Sequence, residues 1–139
     1  MTQETDHAKR QAAAQIETIV ELMTALDAAE ENGTAAYDGE ELDAEQVRER
    51  IQEDVLSVEV RSAWHVPGND SRAAEYLLLL CTGGPAVRIV GELDRYSEAD
   101  SATVEYQDWG TPWTRYTEAD AETDALIVRF AQQFYYGEG

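Results

Sequence analysis

The chain has 139 residues, and its 29 Asp and Glu against 10 Lys and Arg give a formal net charge of −19 and a pI near 4.2. That length suits a single domain with one core, and 43% hydrophobic residues with three Trp and seven Tyr are too many for a disordered acidic tail. The charge repels phosphate, so nucleic acid is excluded as a direct partner. No apolar run approaches the roughly 18 residues of a membrane span, and the N-terminus lacks the apolar stretch of a secretion signal. A soluble, cytoplasmic protein is therefore expected. Cys81 is the one cysteine, which excludes an internal disulfide and a cysteine-rich metal site.

The acidity is concentrated toward the N-terminus. Residues 1–54 hold 15 acids and four bases, net −11, whereas residues 55–139 hold 14 acids and six arginines, net −8. Lys9 is the single lysine.

In chain order, the spacing predicts a long amphipathic helix over residues 5–32. Asp6 caps its start, and Ala12, Ile16, Ile19, Val20, Met23 and Leu26 recur every three or four residues. Asn32-Gly33 closes it, because glycine accepts the left-handed conformation of a helix stop. Residues 34–42 read as an acidic connection. Asp43 then opens a second helix, with Gln46 three residues on as a capping box and Val47 and Ile51 as a small apolar face.

The period then changes. Leu56 to Trp64 alternates apolar and polar residues, the pattern of a strand with one buried face, and Pro67-Gly68-Asn69-Asp70 is the turn after it. Glu75 to Cys81 is a continuous apolar run, expected as a central strand buried on both sides. Gly83-Gly84-Pro85 ends it, Ala86 to Leu93 makes a third strand and Ala102 to Gln107 a fourth. Short connections favour an antiparallel meander. Thr117 to Asp120 starts a last helix whose buried face is Leu126, Ile127, Phe130, Ala131 and Phe134, with Gly137 as its stop. The expected fold is one α+β domain: two N-terminal helices, a four-stranded antiparallel sheet and a C-terminal helix.

Two sites for chemistry can be weighed. Cys81 precedes Thr82-Gly83-Gly84 and could be a nucleophile with His65 as its base. The plainer reading makes Cys81 a small core residue and Gly-Gly-Pro a hairpin turn. The dense acids Asp38, Glu40, Glu41, Asp43 and Glu45 lack the order of a calcium loop and contain no histidine, so they read as a solvated face and no metal or other cofactor is expected. Tyr106 to Tyr116 packs four aromatics around a Gly-Thr-Pro turn. Trp109 and Trp113 either seal the sheet against the last helix or, with Tyr116, form a recognition loop that would also support a homodimer.

Four stretches, Leu56 to Trp64, Leu80 to Arg88, Tyr106 to Trp113 and Phe130 to Glu138, together resemble an uncharacterised family of small proteins carried by bacterial phages and integrated mobile elements. The resemblance covers about residues 55–139 and brings no catalytic residues with it. It implies company among proteins that antagonise host defence.

The leading expectation is a non-enzymatic acidic inhibitor of the anti-CRISPR or anti-restriction kind, which binds a basic nucleic-acid-binding protein by nucleic-acid mimicry. Its mimic surface would be Glu30, Glu31, Asp38, Glu40, Glu41, Asp43, Glu45, Glu49, Glu53 and Asp54. The alternative is a salt-adapted interaction module whose acids serve hydration. A cysteine-dependent enzyme using Cys81 and His65 comes third.

Overall fold

A computed structural model describes residues 3–69 and 72–137. The element order is α1 (Gln3–Asn32), β1 (Thr34–Tyr37), β2 (Glu40–Asp43), α2 (Ala44–Glu53), β3 (Ser57–Ser62), β4 (Ala73–Cys81), β5 (Ala86–Glu92), β6 (Thr103–Gln107), β7 (Thr114–Arg115) and α3 (Ala121–Ala131). This is an α+β fold with three helices and two antiparallel sheets, of two and five strands. The large sheet is a meander in the order β3-β4-β5-β6-β7. No helix among the described residues is long and apolar enough to cross a membrane.

α1 follows the expected stripe. Ala8, Ala12, Ile16, Ile19, Met23 and Leu26 are buried, as is Leu22 beside them, and Gly33, at φ 95°, ends the helix by donating its N–H to the Ala29 carbonyl. The helix lies against β5 and β6 and also touches α2, α3 and the β1–β2 hairpin. The sheet offers it a continuous apolar face: Tyr76, Leu78 and Leu80 of β4, Val87 and Ile89 of β5, and Val104 and Tyr106 of β6 are all buried. Asp120 caps α3 by accepting the Thr123 N–H at 2.8 Å, and Ile127, Phe130, Ala131 and Phe134 of that region enter the same core.

Five expectations need correction. Residues 34–42 form most of a β-hairpin, because Asp38 (φ 54°) and Gly39 (φ 79°) both take the left-handed conformation of a two-residue turn and put Tyr37 opposite Glu40. The large sheet has a fifth strand, β7, only two residues long and paired with Glu105 and Tyr106. β3 has no well-buried face: Val58 and Val60 share the helix side with their partners Leu78 and Tyr76, yet stay 42% and 38% exposed. β4 is fully buried on one side only, since no layer covers Glu75, Leu77 and Leu79. The last helix also stops earlier than Gly137. The Tyr136 hydroxyl donates to the Ala131 carbonyl at 2.8 Å and the Tyr136 ring packs on Tyr76 at 4.8 Å, so the chain folds back over the helix end.

Gly91 faces Tyr76 across the β4–β5 pair, where the Tyr76 hydroxyl donates to the Ser101 carbonyl at 2.5 Å. A Cβ at position 91 would collide with that carbonyl and sit 2.7 Å from the tyrosine ring. Gly91→Ala should therefore destabilise the fold by about 1–3 kcal/mol, seen as a melting temperature several degrees lower. Unchanged melting would contradict this packing.

Candidate functional site

The acids of the N-terminal part collect on one layer made by the C-terminal end of α1, the β1–β2 hairpin and α2. Local sequence sets it. The capping box is complete, since Asp43 accepts the Gln46 N–H at 2.8 Å and the Gln46 side chain accepts the Asp43 N–H at 2.9 Å. That cap fixes the phase of α2, whose buried residues are Val47 and Ile51. Glu45, Glu49 and Glu53 recur every four residues on the opposite, exposed face. At 1.5 Å per residue this row carries a carboxylate about every 6 Å.

The ten acids proposed from sequence do not act alike. Glu30 is paired with Arg48 at 2.5 Å and Glu40 with Arg50 at 3.0 Å, so two of the ten are neutralised by arginines of α2. Asp43 is spent on the cap. Glu41 accepts a hydrogen bond from the Thr34 hydroxyl at 2.9 Å, and no ion pair is seen for it among the described residues. Glu31, Asp38, Glu45, Glu49 and Glu53 are exposed, and no ion pair is seen for them among the described residues. With Glu41 they form the unneutralised part of the layer.

Asp54 stands apart. It is the C-cap of α2, part-buried, and its Oδ2 atom is closed off from solvent with no hydrogen-bond partner among the described residues. Burial pushes its carboxyl from 3.8 up to about 6. The phenol of Tyr37 is raised too, first by burial and then by the Asp54 charge. Asp54 therefore belongs under the acidic layer, not on it.

The aromatic segment splits three ways. Trp109 is 83% exposed at the tip of a tight β6–β7 turn, where Gly110 takes φ 80° and the Asp108 carboxylate accepts the Trp109 N–H at 2.7 Å. Trp113 lies over the sheet face away from the helices, its ring 3.9 Å from the Arg88 guanidinium, which also bonds Glu105 at 2.7 Å. Tyr116 is half-buried and edge-on to Tyr106 at 6.5 Å. Neither tryptophan seals the sheet against α3. Trp64, expected as part of a strand, is instead a further surface aromatic and fully exposed.

The uncovered sheet face carries a shallow depression of about 670 Å³ with Leu77 and Val90 on its floor and Glu59, Arg61, Glu75, Arg88 and Glu105 around it. Its charges are mixed and largely paired, Arg61 with Glu75 and Arg88 with Glu105. It has no counterpart to the row of exposed glutamates on α2.

Cys81 and His65 are not brought together. The β3–β4 register puts Ser57 beside Leu79 and Ser62 beside Ala73, so β3 runs toward His65 at the end of β4 far from Cys81. The nine residues from Ala73 to Cys81 span about 26 Å. Burial raises the Cys81 thiol, which makes it a poor nucleophile, and it faces the Pro85 carbonyl at 3.9 Å. Among the described residues no three His, Cys, Asp or Glu side chains converge as a metal site would require. Compared with known proteins, the chain matches no family model, no curated protein and no solved structure.

Asp54 gives this layer a pH dependence. Its folded carboxyl keeps its proton up to about pH 6, whereas the unfolded chain releases it near 3.8, so the native state binds more protons between those values. Stability is highest below the unfolded value and falls as pH rises through the folded one. Asp54→Asn should gain about 1–2 kcal/mol at neutral pH and nothing near pH 4. Thermal melts at both pH values check it, and an equal gain at both would contradict the burial of this charge.

Proposed function

We propose that the protein is an acidic inhibitor that occupies a basic, nucleic-acid-binding surface of a bacterial defence effector. The observation that carries this reading is the Glu45-Glu49-Glu53 row, which faces away from the core and for which no ion pair is seen among the described residues. Arg48 and Arg50 of the same helix pair with Glu30 and Glu40, and Arg50 acts on Glu53 only through its longer-range charge. Duplex DNA presents one charge per about 1.7 Å of axis, or 3.4 Å per strand. A row with one charge per about 6 Å is roughly half as dense as one strand. Glu31, Asp38 and Glu41 on the neighbouring elements must therefore contribute to the same contact. Attraction of this kind speeds encounter and weakens with salt, and an exposed anchor such as Trp109 would add selectivity. The resemblance to mobile-element proteins supplies a setting in which such an inhibitor is useful.

A second reading has an observation of its own. Exposed acids also lie far from this layer, at Glu92, Glu98, Glu118, Glu122 and Asp124. Acid on every side suits a salt-adapted interaction module, and melting temperatures that climb steadily to molar salt would favour it over mimicry.

The inhibitor reading is tested with purified CRISPR and restriction effectors holding labelled duplex DNA. The protein should displace the DNA from one of them, and Glu45→Lys/Glu49→Lys/Glu53→Lys should weaken displacement at least about tenfold while the far-side Glu122→Lys changes it little. Displacement that survives the triple reversal in a folded protein, or no displacement of any effector, would overturn it.

A further inference from the structure

The sheet has two edges and they are built differently. β7 is two residues long, the usual blunted edge. β3 is six residues long and, among the described residues, pairs with β4 alone, so its other side presents backbone N–H and C=O groups with no strand against them. Apolar exposure gathers there as well. Of the eight large hydrophobic side chains that stand exposed among the described residues, Leu56, Val58, Val60, Trp64 and Val66 belong to β3 and its flanks. The local charge is unusual for this molecule. Residues 55–69 hold one acid, Glu59, and one base, Arg61, and so are neutral in a chain of net charge −19. An exposed apolar edge of this kind, regular from Ser57 to Arg61, is a template for adding a strand.

The strand is complementary to itself in one register. Two copies related by a two-fold axis perpendicular to the sheet pair antiparallel, and directly opposed residues share a face. Centring the pair on Glu59 sets acid against acid, and centring it on Arg61 sets arginine against arginine. Centring it on Val60 sets Val60 against Val60 and Glu59 twice against Arg61 of the second copy, which also pairs with Glu75 of its own β4. These positions precede the register irregularity at Arg61/Ser62. Opposed charges and apolar pairs both stabilise a cross-strand contact, and like charges oppose it. Elsewhere two chains of net charge −19 repel. A neutral edge is where they can meet.

We propose that the protein forms a two-fold dimer through antiparallel pairing of β3 with β3 of a second copy, centred on Val60, to give one continuous ten-stranded sheet. This goes beyond the inhibitor reading and uses none of the acidic layer, so either can fail alone. Light scattering on the whole chain at about 100 µM should give twice the 15.5 kDa of the monomer. Glu59→Lys and Arg61→Glu, each alone, should raise the dissociation constant at least about tenfold, and the double swap should restore it. In a Cys81→Ala background, Val60→Cys should form a disulfide-linked dimer on oxidation, since opposed residues of an antiparallel pair lie within disulfide reach. A monomeric wild-type protein overturns the proposal. So does a dimer that both single swaps leave intact or that Val60→Cys fails to cross-link.

Discussion

The burial of one face of α1 is the constraint on which the rest of the molecule depends. The helix meets the hairpin, α2, α3, β5 and β6, so most elements pack against it and the core has it as a spine. Its contact stripe runs from Ala8 and Ala12, where small side chains allow close approach, through Ile16 and Ile19 to Met23 and Leu26. Ion pairs tie partners to it near both ends. Lys9 pairs with Glu118 ahead of α3, and Arg129 of α3 grips both oxygens of Asp27 at 3.0 and 2.6 Å, which holds the Asp27 carboxyl below its ordinary range. Such exposed pairs orient more than they stabilise.

This arrangement also sorts the charge. Once α1 and α2 turn their apolar faces inward, their acids have only the outer face to occupy. The three arginines of α2 and α3 that form ion pairs there reach acids on neighbouring elements, Glu30, Glu40 and Asp27. What is left unneutralised is concentrated on α2 and the hairpin beside it. Asp54 marks the inner boundary of that layer, where a carboxyl is held part-way out of water.

Legibility in the sequence followed the range of the interactions involved. The capping box at Asp43 and Gln46, the stop at Gly33 and the α1 stripe are local patterns, and all three are realised. The hairpin was also written locally, in Asp38-Gly39, but its strands Thr-Ala-Ala-Tyr and Glu-Glu-Leu-Asp lack the β-branched alternation that announces a strand. The exposure of β3 could not be read from its alternating pattern, because the pattern is present and the covering layer is not. Trp113 meets Arg88 across 25 positions of sequence, and Asp54 is buried by tertiary packing. Neither leaves a local trace. Of the acidic surface, sequence identified the region, and only side-chain partners separated Glu45, Glu49 and Glu53 from the neutralised Glu30 and Glu40.

The molecule thus presents two surfaces of opposite character: a net-acidic helical layer and a neutral, apolar sheet edge. The central claim concerns the first. Hydrogen exchange on the protein, free and bound to an effector whose DNA it displaces, locates the contact directly. The account predicts slowed exchange over residues 30–53, across the end of α1, the hairpin and α2. Protection confined to the Trp109 turn and the uncovered sheet face, with that layer unchanged, would contradict it.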